Sequence, residues 1–261
     1  MHWLRTHIVV IYATFALLYL FLPIAFVAAF SFNDPLGRYN FTWQGFTTRN
    51  WTHICAVPGM CNALGLSLRI GILSTAAATV LGTLIAFAVV RHRFRGRAGT
   101  NMLIFLPMAT PEVVMGSSLL ALFVNLNVSL GFATVLVAHI LFNISFVVVT
   151  VKVRLQGLDP RLEQAAMDLY ANEWETFRRV TFPLVFPGIM AAALLAFSLS
   201  FDDFIITNFN AGNTTVTFPM FVWGAAQRGI PPQINVIGTL MFVSALVITL
   251  IGTLAGRRPR R

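Results

Sequence analysis

Six long apolar segments alternate with shorter polar stretches along the 261-residue chain. A helix needs roughly 20 apolar residues to cross a hydrocarbon core about 30 Å thick. The runs that reach or approach this length are residues 8–30, 70–90, 102–124, 128–151, 184–206 and 234–256. The first, second and last of them carry no charged residue, and in a soluble fold most of their faces would lack an apolar partner. We therefore predict an all-α, polytopic membrane protein with six transmembrane helices, in which residues 1–261 form a single transmembrane domain.

Composition and the placement of basic residues add an orientation to this prediction. The chain is 57% hydrophobic and only 10% charged, with a mean hydropathy of +0.78. All but four of its 18 lysine and arginine residues fall in alternate loops, which the positive-inside rule assigns to the cytoplasm. Both termini are thus expected to be cytoplasmic, close to Arg5 and to the 257–261 cluster. Because topology accounts for the net charge of +9, nucleic acid is not an expected partner.

Two cysteines, Cys55 and Cys61, lie in the predicted external loop 31–62. An oxidising compartment would allow them to form a disulfide that closes a short loop. The alternative is a pair of free thiols packed among loop residues, and the sequence leaves both open.

A compact polar segment, QAAMDLYANEWETFRRVTFP at 164–183, stands out within the predicted inner loop 152–183. Its short side chains allow close approach by another protein, and its charged residues supply orientation. The alternative is an amphipathic helix that lies on the lipid surface. The only lysine, Lys152, does not follow a glycine, so the sequence lacks the phosphate-binding loop pattern, and if the chain is a pump component, ATP is expected to be handled by another subunit.

Carboxylates within or at the edge of spans are candidate solute contacts, because a charged side chain in the bilayer faces a cavity or a partner. Asp202 and Asp203 are expected at the outer end of the fifth span, beside an aromatic stripe of Phe197, Phe201 and Phe204. Carboxylates and aromatic faces both attract cations. Adjacent helical residues point about 100° apart, so one aspartate is expected to hold structure and the other to meet solute. Alternatively, the phenylalanines are ordinary helix contacts, and the aspartates cap the helix or pair with arginine.

Two further polar residues fall inside predicted spans. Glu112 follows Pro107 and Pro111, which are expected to bend the third span, and it either contacts solute or fixes the bend. His139 in the fourth span is expected to be a hydrogen-bonded interhelical residue rather than a metal ligand, and no metal-ligand spacing is present.

The 164–183 segment resembles the coupling loop of bacterial ABC-importer permeases, whose pattern is E-A-A, three residues, G, nine residues, then I-x-L-P. Ala165, Ala166 and Pro183 keep this spacing, whereas Gln164 replaces the glutamate and Tyr170 the glycine. Glu163, beside Gln164, is able to restore the missing carboxylate. Tyr170 demands room in the facing groove, and its replacement by glycine is expected to be tolerated or to improve coupling. The residues expected to couple to the ATPase are Glu163, Gln164, Ala165, Ala166, Asp168, Tyr170, Ala171, Phe177 and Pro183.

Beyond this loop, the chain resembles the polyamine branch of these importers, the second permease of spermidine/putrescine systems. The matching stretches include RHRFRGR at 91–97, MATPEVVMGSSLLALF at 108–123 and LSFDDFIITNFNAG at 199–212. The resemblance implies a permease of the bacterial inner membrane that moves polyamine inward by alternating access. It also implies that Asp202 and Asp203 border the path. Alternatives are a permease of the same family for sulfate, ferric ion or phosphonate, or a secondary transporter or channel.

The resemblance further implies a set of partners. These are a related permease that forms a heterodimer with this chain, two copies of a cytoplasmic ATPase, an external polyamine-binding protein and membrane lipid. ATP and magnesium are expected on the ATPase subunits, with no cofactor on this chain. An enzymatic role is not expected, because the spans hold no matched nucleophile and base.

Overall fold

Helices make up the regular structure of the described residues. The computed structural model describes residues 2–256, with side chains from 7 to 252. The predicted basic cluster at 257–261 and the Arg5 side chain lie outside the described residues. The helices are α1 (His2–Phe30), α2 (Arg49–Thr52), α3 (Met60–Arg91), α4 (Arg97–Ala109), α5 (Glu112–Asn125), α6 (Phe132–Gln156), α7 (Arg161–Asp168), α8 (Glu173–Thr176), α9 (Phe182–Asp202), α10 (Ile205–Asn210), α11 (Phe218–Arg228) and α12 (Pro232–Gly256).

Five helical stretches among the described residues are long and apolar enough to cross a membrane, which confirms the predicted polytopic, all-α class. They are α1, α3, α6, the continuous stretch Glu173–Asp202, and α12. The predicted third span, 102–124, is instead two helices, α4 and α5, bent by 108°. Counting this pair as one broken span gives the predicted six.

The break in the third span has a local cause. Thr110 is extended, with φ −84° and ψ 132°, as expected for a residue that precedes proline. Pro111 then takes the N-cap position of α5, where its missing N–H is tolerated. The predicted bend is therefore an interruption of the helix.

The chain divides into two compact units, one of which comprises residues 62–220. Its core lies between α3, α6 and α9 and is built from Ala78, Ala86, Val147, Val148, Val151, Leu155, Val185, Ile189, Ala192 and Ala196. Gly82 permits close approach of α3 and α6, because a Cβ atom there would lie 2.7 Å from Val147 Cγ1. Small residues on α3 and α9 thus serve helix packing.

The other unit comprises residues 1–61 and 221–261. Helices α1 and α12 pack against each other, with the rings of Phe21 and Phe242 edge to face at 6.0 Å. After α1, the buried side chain of Asn33 donates to Asn40 Oδ1 at 2.6 Å and holds the following loop together. Cys55 and Cys61 form a disulfide, with Cα atoms 5.5 Å apart, so the first of the two alternatives applies.

Candidate functional site

The 161–183 segment, which connects α6 to α9, holds all of the predicted coupling residues. It consists of α7, a turn at 169–172, α8, and a π-helical stretch, Phe177–Thr181, that leads directly into α9. Asn172 caps α8 by accepting from the Glu175 backbone N–H at 2.9 Å, while Glu175 accepts from the Asn172 backbone N–H. This capping box gives the turn a defined geometry.

Glu163 fastens α7 to the end of α3. Arg91 donates to both carboxylate oxygens of Glu163, and the Nη1–Oε2 distance is 2.6 Å. Thr181 donates to the same carboxylate at 2.5 Å. Partial burial favours a higher pKa for Glu163, but the bonds from Arg91 and Thr181 and the Arg91 charge outweigh it and hold the pKa below its ordinary value of 4.5. The carboxylate that sequence reasoning assigned to the ATPase is thus engaged within this chain.

Phe177 makes a second connection between the segment and the spans. Its ring lies edge to face with Phe87 of α3 at 5.6 Å and stacks on Trp174 at 5.7 Å. Phe177 therefore packs inward, whereas Gln164, Ala165 and Asp168 on α7 are exposed.

Tyr170 adopts a backbone conformation that glycine favours, which explains why the E-A-A pattern has a glycine at this position. Its φ is +63°, in the left-handed region that costs a residue with a Cβ atom roughly 1–2 kcal/mol. Its backbone N–H donates to the Met167 carbonyl at 3.0 Å, and the Ala171 N–H to the Ala166 carbonyl at 3.2 Å, so the turn ends α7. The Tyr170 side chain is 99% exposed.

The two aspartates at the end of α9 have different surroundings. The Asp203 side chain is only 4% exposed and accepts from the backbone N–H groups of Ile206 and Thr207 at 3.2 and 2.8 Å. It also accepts from the Thr207 hydroxyl at 2.7 Å. Asp203 thus caps the first turn of α10, whereas Asp202 is exposed. The two side chains do not share one environment.

His139 is the centre of a buried polar network with Asp203. Its Nε2 lies 3.3 Å from Asp203 Oδ2 and 2.9 Å from the Thr207 hydroxyl. Its Nδ1 lies 2.7 Å from the Ser200 hydroxyl, which is 2.9 Å from the Ser74 hydroxyl. The prediction of a hydrogen-bonded interhelical histidine is confirmed, and the network joins α3, α6, α9 and α10.

The other predicted pathway residues are dispersed. Phe201 is 6% exposed, and its ring centroid lies 5.9 Å from that of Phe197. These two members of the predicted stripe therefore pack against each other within the unit 62–220. Phe197 also covers Gly71 on α3. Glu112 lies exposed on the first turn of α5, where the helix N-terminus favours a carboxylate. Among the described residues, Glu112 forms no hydrogen bond with His139, Ser200, Asp203 or Thr207.

Several residues of these clusters were not found by sequence reasoning. Ser74, Ser200 and Thr207 are ordinary hydroxyl residues in apolar runs, and only a search for partners of the intramembrane His139 and aspartates would have singled them out. Arg91 was counted for topology alone, because its partner Glu163 is 72 positions away in the sequence.

Long apolar helices, with a largely exposed polar segment between two of them, define a multi-pass membrane protein. The chain belongs to the family of binding-protein-dependent transport system inner membrane components, which matches residues 78–258. This membership confirms the predicted inner-membrane location and the assignment to transport rather than to an enzyme.

Two relatives lie in the polyamine branch that the sequence predicted. The chain is 36% identical over 239 residues to the spermidine/putrescine transport system permease protein PotC of Escherichia coli strain K12, covering 92% of this chain and 90% of PotC. It is 36% identical to the putrescine transport system permease protein PotI of the same strain, covering 89% of this chain and 85% of PotI.

A solved structure supports the fold. The chain is similar to a chain of a bacterial ABC transporter involved in the import of the acidic polysaccharide alginate, with a TM-score of 0.73 and 15% identity. The match covers 99% of this chain and 96% of that chain. At this identity the likeness describes the fold alone.

Proposed function

We propose that this chain is a membrane permease subunit of an ATP-driven importer that moves polyamine inward by alternating access. The observation that carries the proposal is the 36% identity to PotC over 92% of the chain. A polyamine is a flexible cation, and the exposed carboxylate of Asp202 at the end of a span provides chemistry that such a solute needs.

Asp202, rather than Asp203, is the proposed solute contact. The Asp203 carboxylate already accepts three hydrogen bonds in the interior and lies 3.3 Å from His139, so it is not free for a passing cation, whereas the exposed Asp202 carboxylate is. Permease contacts are expected to be weak, because a solute held tightly in the path could not leave it. Selection is therefore assigned mainly to an external binding protein.

The proposed complex contains a related permease, two ATPase subunits that hold ATP and magnesium, and the external polyamine-binding protein. The exposed face of the 161–183 segment is the proposed contact with one ATPase subunit. The Arg91–Glu163 pair and the Phe177–Phe87 contact would carry movement of this segment into α3. Closure of the ATPase pair would thus reorient the spans.

The test is ATP-dependent uptake of labelled spermidine and putrescine into vesicles that hold the complete complex. We expect uptake with the unmodified chain and a large loss with Asp202→Asn while the complex still assembles. Sulfate, ferric ion and phosphonate serve as competing solutes. ATPase stimulation by a binding protein loaded with one of these, without polyamine uptake, would contradict the polyamine assignment and keep the importer class.

A further inference from the structure

Tyr170 has an unfavourable backbone conformation that no side-chain contact within the described part of the chain offsets. Its φ is +63°. Among the described non-glycine residues, only Asn127, with a φ of +54°, also has a positive φ. Asparagine tolerates this region, whereas tyrosine rarely adopts it. The Tyr170 side chain makes no hydrogen bond or ring contact within the part of the chain that the structure describes, and it is 99% exposed.

Exposed apolar side chains flank Tyr170 in the sequence, and Met167, Leu169, Tyr170 and Trp174 are called the patch below. Leu169 is 82% exposed, Trp174 67% and Met167 47%. Trp174 stacks on Phe177, and the Asn172–Glu175 capping box fixes the turn between Tyr170 and Trp174. The backbone of the turn and the Trp174 ring are therefore held in place before any partner binds, which lowers the entropy lost on association. Rigid aromatic side chains of this kind dominate binding energy at protein interfaces.

The charge around the patch favours a protein partner over a lipid surface. Between residues 162 and 177 every charged residue is acidic, namely Glu163, Asp168, Glu173 and Glu175, and the basic residues of the 161–183 segment lie at its two ends, as Arg161, Arg178 and Arg179. Glu163 is paired with Arg91, which leaves three carboxylates beside the patch without an ion pair among the described residues. An anionic cytoplasmic leaflet repels such a surface, whereas a protein groove with basic side chains attracts it.

We infer that Tyr170 is an anchor residue, which inserts into an apolar pocket rimmed by basic side chains on the ATPase subunit. The inference rests on the proposed function and deepens it, because it names the residue and the chemistry of the docking contact. Binding in the pocket compensates for the left-handed backbone that tyrosine, unlike glycine, adopts unfavourably. It reverses the expectation from sequence alone that glycine at this position is tolerated or improves coupling.

The experiment measures two quantities for each variant of the reconstituted permease complex. The first is the dissociation constant for the purified ATPase subunit, with the complex in lipid nanodiscs, and the second is the midpoint of thermal unfolding. Tyr170→Gly is expected to keep or raise the unfolding midpoint and to weaken ATPase binding at least tenfold. Tyr170→Phe keeps the ring and is expected to bind within about threefold of the unmodified chain.

Asn127→Gly is the matched control. It places glycine at the other described non-glycine residue with positive φ, away from the 161–183 segment, and is expected to leave ATPase affinity unchanged.

The basic rim has a separate test. Neutralising Asp168 and Glu173 together, as Asn and Gln, is expected to reduce the dependence of ATPase affinity on salt.

The outcomes separate this inference from the function on which it rests. Unchanged or tighter ATPase binding by Tyr170→Gly would overturn the anchor. An effect of Tyr170→Gly that appears in anionic nanodiscs and disappears in zwitterionic ones would assign the ring to the lipid surface and overturn it as well. Failure of the unmodified complex to take up polyamine, with the Tyr170→Gly binding defect intact, would contradict the solute assignment and support the anchor.

Discussion

Replacing Asp203 is expected to destabilise the permease, whereas the corresponding change at Asp202 is not. The Asp203 side chain is 4% exposed and accepts hydrogen bonds from Ile206 and Thr207, and His139 Nε2 lies 3.3 Å from its Oδ2. In Asp203→Asn the amide nitrogen is best placed at the Oδ1 position, since only the 3.2 Å bond from the Ile206 N–H is then lost. One bond to a charged acceptor is worth about 1.5–3 kcal/mol, so the expected loss of unfolding free energy is about 2 kcal/mol.

Asp203→Ala has a larger expected effect. It removes every acceptor, leaving two backbone N–H groups of α10, the Thr207 hydroxyl and His139 without this partner. Breaking a buried pair by removing one member costs about 3–5 kcal/mol, and we expect about 4 kcal/mol. His139 retains its contacts to Ser200 and Thr207, which limits the loss.

Denaturant unfolding of the purified complex, followed together with uptake by the same preparation, checks these magnitudes. Asp202→Asn is the matched control and is expected to unfold like the unmodified protein while its uptake at low polyamine concentration falls about tenfold, the loss of roughly 1.4 kcal/mol of binding. For the Asp203 variants, uptake per folded complex is expected to change little relative to stability. Unfolding free energies of Asp203→Asn and Asp203→Ala equal to that of the unmodified protein would refute this assignment.

Three further predictions concern other contacts. Reversing the charge of either Arg91 or Glu163 is expected to lower the uptake per ATP hydrolysed. The double variant Arg91→Glu with Glu163→Arg is expected to restore part of this uptake. Because the pKa of Glu163 is lowered, the Arg91–Glu163 pair contributes fully to the free energy of unfolding above pH 4.5, and this contribution is lost as the pH falls through the lowered pKa. Glu163→Gln is expected to remove this acid-dependent part of the stability. An unchanged dependence of stability on pH in Glu163→Gln would contradict the prediction. Gly82→Ala is expected to destabilise the α3–α6 packing by about 1–3 kcal/mol in thermal unfolding, since its Cβ would lie 2.7 Å from Val147 Cγ1, whereas Gly65→Ala on the same helix meets no atom within 4 Å and should be neutral or stabilising. After mild reduction, Cys55 and Cys61 are expected to react with a membrane-impermeant maleimide added from outside, and labelling only in opened vesicles would reverse the predicted orientation.

The sequence by itself determined the class of the protein and most of its spans. Hydropathy is a property of a window of about 20 residues, so α1, α3, α6 and α12 are visible without any tertiary information. The spacing around Ala165, Ala166 and Pro183 likewise identified the 161–183 segment, because that pattern is local. The disulfide between Cys55 and Cys61 was one of two alternatives, since a short loop permits the bond but does not require it.

Only the tertiary structure decided which polar groups meet. Asp202 and Asp203 are chemically identical neighbours, and the fold distinguishes them by turning one toward His139, 64 positions away, and leaving the other exposed. The pairing of Glu163 with Arg91, 72 positions away, likewise depends on how the helices pack. Apolar burial acts on any sufficiently hydrophobic segment and can be read along the chain, whereas hydrogen bonds and ion pairs require two particular atoms within about 3 Å, a condition that only the folded arrangement of distant segments can satisfy.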